Sequence, residues 1–132
     1  FKPADPDTAA IKYIHSQYRP DNVIVLYANN SNPFQSSGPN PVCKKFYVPP
    51  ELEFYPVKSQ EDIEAHFSRK DKLILLCVRE PQLNAGFPVQ DEHFVKVFES
   101  MPKEYFHLTG NNWEKEYEAM NIFQFRSCRL MF

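Results

Sequence analysis

Residues 73–78 form an unbroken apolar run, fenced by Arg69, Lys70, Asp71 and Lys72 on one side and by Arg79, Glu80 and Pro81 on the other. A strand with one wet face alternates apolar and polar residues, and a helix needs more length than this, so the run predicts a strand buried on both faces. Residues 22–28 have the same character after Asn22. Each run follows a helical pattern, residues 7–17 before the first and 59–67 before the second. Two such strands, covered by helices, predict an α/β fold: a three-layer α/β/α sandwich with a small mixed, partly parallel sheet, spanning residues 1–132 as a single domain.

The segments between these elements follow from local chemistry. Asp5, Pro6, Asp7 and Thr8 supply acidic caps and a proline ahead of Ile11, Ile14 and Tyr18, which recur on one helical face. Pro20 bars its predecessor from the helical region and ends that helix. Residues 29–41 hold three prolines and no apolar periodicity, which predicts a long loop leaving the first strand. Loops at the carboxyl ends of strands carry the binding sites of open α/β sheets, so Asn29 and Asn30 are candidate ligand-binding residues. Asn29, Asn30 and Ser31 together also match a glycosylation acceptor, which has meaning only in a eukaryotic secretory setting. A short strand is expected over residues 44–48, closed by Pro49 and Pro50. Residues 54–57 suit an edge strand or an extended connection, because Pro56 cannot donate to a ladder. Ser59 caps the second helix, which turns Ile63, His66 and Phe67 inward, and His66 reads as a boundary histidine.

Beyond the second apolar strand, residues 79–89 are expected to form another loop at a carboxyl strand end, on the same rim as residues 29–41 if the strands are parallel. Arg79 and Glu80 are candidates there, either as a charged pair offered to a ligand or as a salt bridge at the strand exit. Phe94, Val97, Phe98 and Met101 recur at helical spacing and predict a third helix over residues 91–101, stopped by Pro102. Residues 105–109 predict a third strand, 110–112 a turn, and 113–120 a helical turn or irregular link. Residues 121–132 predict a closing strand at a sheet edge, antiparallel to its neighbour.

Composition narrows the chemistry more than it selects one. Fifteen basic residues are scattered among 17 acidic ones for a net charge of −2, so no footprint for nucleic acid stands out. Aromatic residues make up 15% of the chain, a surplus that thickens a core or leaves an apolar patch for a neighbour to cover. Three cysteines, Cys43, Cys77 and Cys128, cannot form a complete intrachain disulfide set and lack metal spacing. Cys77, inside the apolar run, reads as a small buried hydrophobe, and Cys43 and Cys128 pair only if the fold brings them together. Three glycines do not suffice for a dinucleotide fingerprint or a Walker loop, so no cofactor is expected. His15, His66, His93 and His107 fall on separate elements without paired spacing, so no metal site is expected either. No segment approaches the ~20 apolar residues that span a bilayer. The abrupt opening at Phe1, Lys2 and Pro3 suits a segment cut from a longer polypeptide, whose flank would hold a membrane part.

One resemblance adds to this. Ala10, Ile11, Lys12, Tyr13 and Ile14, followed by Tyr18, Arg19, Pro20, Asp21 and the apolar residues 23–28, resemble the opening of the soluble C-terminal domain of polytopic glycosyltransferases that use polyprenyl-phosphate sugars. The later order of apolar strand, aromatic-rich helix, strand and terminal strand is also similar, although residues 29–41 intervene where an aromatic cluster usually follows in that family. The resemblance implies an accessory, extracytoplasmic, membrane-associated domain with no complete active site of its own, facing a membrane-embedded part of the same protein and a glycan or protein partner. Catalysis in that family belongs to the membrane part, so no catalytic residue carries over. The alternatives are a free-standing small-molecule or protein-binding domain, cytoplasmic in that case, with its site at the rim of Asn29, Asn30, Arg79 and Glu80, and a small enzyme whose site is assembled from residues far apart in sequence.

Overall fold

The computed structural model describes residues 5–29, 31–34 and 49–126. Helix α1 (Pro6–Gln17) starts where Asp5 accepts a hydrogen bond from the Thr8 amide at 2.9 Å, with Pro6 in the first turn where its missing N–H costs nothing. A short 3-10 turn (Pro20–Asn22) leads into strand β1 (Val23–Ala28). Strand β2 (Glu53–Val57) precedes helix α2 (Gln60–Glu64), which Ser59 caps by accepting from the Asp62 amide at 3.2 Å. Then follow strand β3 (Leu73–Arg79), the short helix α3 (Glu80–Asn84), and strands β4 (Phe94–Glu99), β5 (Lys103–Thr109), β6 (Asn112–Glu118) and β7 (Met120–Phe125).

Five strands make one mixed sheet in the order β2-β1-β3-β7-β4. Strand β1 is parallel to both β2 and β3, and β7 runs antiparallel to its neighbours β3 and β4. Alternation then sends the two apolar runs to two cores. Val23, Val25, Leu75, Cys77, Met120 and Ile122 pack against Ala10, Ile11 and Ile14 of α1. Ile24, Leu26, Ile74, Leu76, Val78 and Phe123 pack on the other face with Ile63 of α2, while Phe67 and Leu83 close its margin. The result is the expected three-layer α/β/α sandwich, and the missing alternation has its cause here: both faces of β1 and β3 are dry. Strand β2 lies at the edge, where Pro56 is tolerated.

Four expectations are corrected. Residues 91–101 hold strand β4 rather than a helix. Its register against β7 slips between Lys96 and Phe98, so Phe94 faces the α2 core while Phe98 turns to the α1 side and stacks on Tyr13 at 4.7 Å. A bulge of this kind breaks the period of two and leaves apolar residues at a spacing that imitates a helix. Residues 113–120 are mainly strand β6: Trp113 and Tyr117, four apart, suit a helical face and a strand face equally, and pairing with β5 decides. The stretch beginning at residue 79 opens as helix α3 rather than a loop. The closing strand β7 sits inside the sheet, antiparallel as expected but not at the edge, because its residues 120–123 are buried towards both cores. The expected strand at 44–48, most of the loop at 29–41, Cys43 and Cys128 lie outside the described residues.

Strands β5 and β6 form a separate two-stranded ribbon. They are joined by a two-residue loop in which Gly110 takes a φ of +63°, a conformation that side chains disfavour and tight hairpins demand. The ribbon continues the β4–β7 hairpin past the sheet. Ser100 marks the junction: its amide donates to the Met120 carbonyl at 2.9 Å and its hydroxyl accepts from the Met120 amide at 2.9 Å. Since β4 runs in the same sense as β1 and β3, the ribbon leaves from the carboxyl rim of the sheet.

Candidate functional site

The rim is built from the exits of β1 and β3, the first turn of α1 and the root of the ribbon. Leaving β1, the chain turns back with the Ser31 amide donating to the Ala28 carbonyl at 2.8 Å. Gln82 of α3 clamps this turn twice: its amide oxygen accepts from the Ser31 hydroxyl, and its amide nitrogen donates to the Asn29 carbonyl. The Ser31 oxygen also accepts from the Arg79 amide at 3.0 Å. The two strand exits are therefore one hydrogen-bonded unit. Asn29 is exposed and takes part through its backbone, while Asn30 lies outside the described residues.

Arg79 belongs to the face that α1 covers, and its side chain is only 12% exposed. One guanidinium nitrogen reaches Asp7 of α1 at 2.6 Å and the other reaches Glu118 of β6 at 3.1 Å. The expected strand-exit ion pair therefore exists, but its anions come from 72 and 39 residues away and not from Glu80. Burial pushes the Asp7 carboxyl above its ordinary range, Arg79 pulls it down, and Asp5 and Glu118 push it up again. Glu80 instead accepts from the side-chain amide of Asn121 at 2.9 Å, and its own amide donates to the Ala119 carbonyl at 2.8 Å. Both candidates thus hold the root of the ribbon to the sheet. Two enclosed polar atoms at these strand ends have no hydrogen-bond partner among the described residues, the side-chain nitrogen of Asn32 and the side-chain oxygen of Asn121.

The remaining chemistry-bearing groups are packed away from the rim. Cys77 is completely buried, and loss of solvation pushes its thiol up to about 12, which leaves no thiolate at neutral pH. His66 stacks on Tyr55 at 5.3 Å and is shifted down by burial. Among the described residues, no three His, Cys, Asp or Glu side chains are gathered as a metal would require. At the opposite end of the sheet, Glu53 accepts from Arg69 at 3.0 and 3.1 Å and from Lys72 at 2.5 Å, and these cations hold its carboxyl well below the usual range.

The feature that sequence reasoning missed is the ribbon. Directly opposite residues of an antiparallel pair share a face, so Leu108 and Trp113 stand together near the tip, with Phe106 and Tyr117 closer to the root. Their exposures are 61, 68, 60 and 55% in that order. Glu118, next to Tyr117, falls on the other face, where Arg79 holds it. The ribbon is an arm tethered on one side, with Phe106, Leu108, Trp113 and Tyr117 on the other face, where the register also sets positions 104 and 115, a glutamate and a lysine. The aromatic surplus was the available signal, but composition does not tell an exposed ring from a buried one.

The fold and site thus define a three-layer α/β domain that carries a β-arm with four exposed large hydrophobic residues at its carboxyl rim. Comparison of the chain with family models, with curated proteins and with solved structures gives no match. No helix among the described residues is long and apolar enough to cross a membrane.

Proposed function

We propose that this domain is an accessory binding module of a membrane-associated, extracytoplasmic protein, working through its arm rather than through chemistry of its own. The observation that carries this is the face of Phe106, Leu108, Trp113 and Tyr117, more than half exposed at every position. An apolar patch of that kind on a soluble surface marks an interaction site. The polar groups at the rim support the same function: Arg79, Glu80 and Gln82 are engaged in fixing the arm and the strand exits. The glycosyltransferase context is supported by the resemblance of residues 10–28, and the complete reading frame tests it. Several long apolar spans upstream of Phe1 support that context, and a start codon directly before Phe1 removes it.

A second function, small-molecule binding at the rim, is favoured by the Asn32 nitrogen and Asn121 oxygen, which have no hydrogen-bond partner among the described residues. Photo-crosslinking separates the two. With a benzophenone amino acid placed at position 113 in one variant and at position 29 in another, an arm-borne module gives protein adducts from position 113 and none from 29. Adducts from position 29 alone would move the site to the rim, and silence at both positions sinks the arm as a working surface.

A further inference from the structure

We infer that the tip of the arm seats in the interfacial layer of a zwitterionic phospholipid bilayer, with Leu108 and Trp113 entering side by side. This rests on the arm being the working surface. The two strands of the arm pair only with each other among the described strands, and Leu108, Asn111, Asn112 and Trp113 at its end are all exposed. No residue from 108 to 113 is charged, whereas positions 103, 104, 114, 115, 116 and 118, nearer the root, hold four glutamates and two lysines. The charges thus lie behind the tip on both faces of the ribbon.

The depth of this tip fits such a layer. Leu108 stands opposite Trp113 and Thr109 opposite Asn112, with Gly110 and Asn111 closing the end. Three levels at about 3.4 Å each make a charge-free tip roughly 10 Å deep, and interfacial segments bury about 5–10 Å. The next levels back pair position 107 with 114 and position 106 with 115, which leaves a glutamate and a lysine at the height of the headgroups, where charge stays solvated. Tryptophan suits the boundary, its rings on the acyl side and its N–H on the wet side. Size separates lipid from a protein groove. Leu108 and Trp113 together offer roughly 300 Å², well below the ~1,000 Å² of a specific protein interface, and Phe106 and Tyr117 behind them are engaged by other contacts. Partition into a bilayer has no such lower bound. A contact this small reaches at most the marginal binding of a single acyl chain, about 10⁴ M⁻¹, so it orients an anchored protein rather than anchoring it. Protein reached from position 113 is then protein lying in the same layer. Charge selects the lipid: four glutamates and two lysines in residues 103–118 give the arm a net −2, which anionic headgroups repel and zwitterionic ones do not.

Trp113 is the chain's only tryptophan, so its emission reports on the tip alone. The purified chain is titrated with phosphatidylcholine vesicles up to millimolar lipid while Trp113 emission is followed, and a second set of vesicles carries bromine on the acyl chains. The expected result is a blue shift that saturates with lipid, quenching by the brominated chains, and a partition coefficient that falls when anionic phosphatidylglycerol is mixed in. Leu108→Ser, at an exposed position that leaves thermal unfolding unchanged, is expected to lower the partition coefficient at least about fivefold. Met101→Ser, at a position 70% exposed but at the root, is expected to leave it unchanged. An emission that no lipid concentration moves overturns the inference, as does a shift that Leu108→Ser fails to weaken, that Met101→Ser weakens equally, or that grows with anionic lipid. No response to vesicles together with protein adducts from position 113 overturns the lipid seat while keeping the arm as the working surface. No response to vesicles and no adducts from position 113 removes both.

Discussion

Replacing Arg79 by methionine tests whether the arm is fixed by the ion triad. Methionine keeps most of the buried stem and removes the charge. It leaves Asp7 and Glu118, each 22% exposed, facing one another without the cation they hold at 2.6 and 3.1 Å. Removing one partner from a fully buried pair costs about 3–5 kcal/mol, and partial solvation of both carboxylates lowers this to roughly 2–3 kcal/mol. For a chain of 132 residues that is a fall in Tm of about 8–12 °C. The loss depends on pH, and its sign follows from Asp7. The Asp7 carboxyl is already raised by burial, with Arg79 holding it down. In Arg79→Met it rises further, so the folded variant binds a proton more tightly than its unfolded chain, and stability falls as pH rises through that range. The gap between parent and variant is therefore narrower at about pH 5 than at about pH 8. Urea unfolding followed by far-ultraviolet circular dichroism measures both, and the fluorescence anisotropy of Trp113 is expected to fall as the arm loses its tether. Adding Asp7→Asn to Arg79→Met recovers part of the loss. A cost below about 0.5 kcal/mol at pH 8, a gap that ignores pH, or a double variant less stable than the single would refute the tether.

Three further outcomes test other parts of the fold. Glu53 is held low by Arg69 and Lys72, so between its folded value and its ordinary value of 4.5 the folded chain binds fewer protons than the unfolded one. The stability from this network is thus complete above that window and is lost as pH falls through it, and Glu53→Gln flattens this part of the pH–stability curve. In a chain with Cys43→Ser and Cys128→Ser, Cys77 is expected to resist thiol reagents in the native state and to react fully in denaturant, given a thiol at about 12; rapid native labelling would contradict its burial. Phe98→Ala, which empties the stack on Tyr13, is expected to cost roughly 1–2 kcal/mol, while Val95→Ala on the exposed side of β4 costs under about 0.5 kcal/mol; equal losses would place the bulge wrongly.

What could be read in the sequence was whatever local chemistry decides. The runs at 23–28 and 73–78 announce both-face burial because neither contains a polar position, and Asp5 and Ser59 announce helix starts because their side chains are satisfied within three residues. The rim was legible to the same extent: parallel β1 and β3 require their exits to share an edge. What was not legible depends on pairings distant along the chain. Strand β4 resembled a helix because its bulge is defined only against β7, and β7 was misplaced at the edge because nothing local says that β4 will cover it.

Arg79 shows the same limit at the level of one side chain. Its charge beside a strand end was visible, but its anions come from α1 and from the arm, so the sequence did not reveal that it joins three elements instead of waiting for a ligand. The arm is the extreme case. Phe106, Leu108, Trp113 and Tyr117 are the residues that any hydrophobicity pattern assigns to a core, and here they are more than half exposed: the junction at Ser100 carries them past the sheet. An apolar face that a single chain leaves more than half exposed acquires its physical rationale from a second surface, which is why the arm, and not the polar rim, is the place to look for what this domain does.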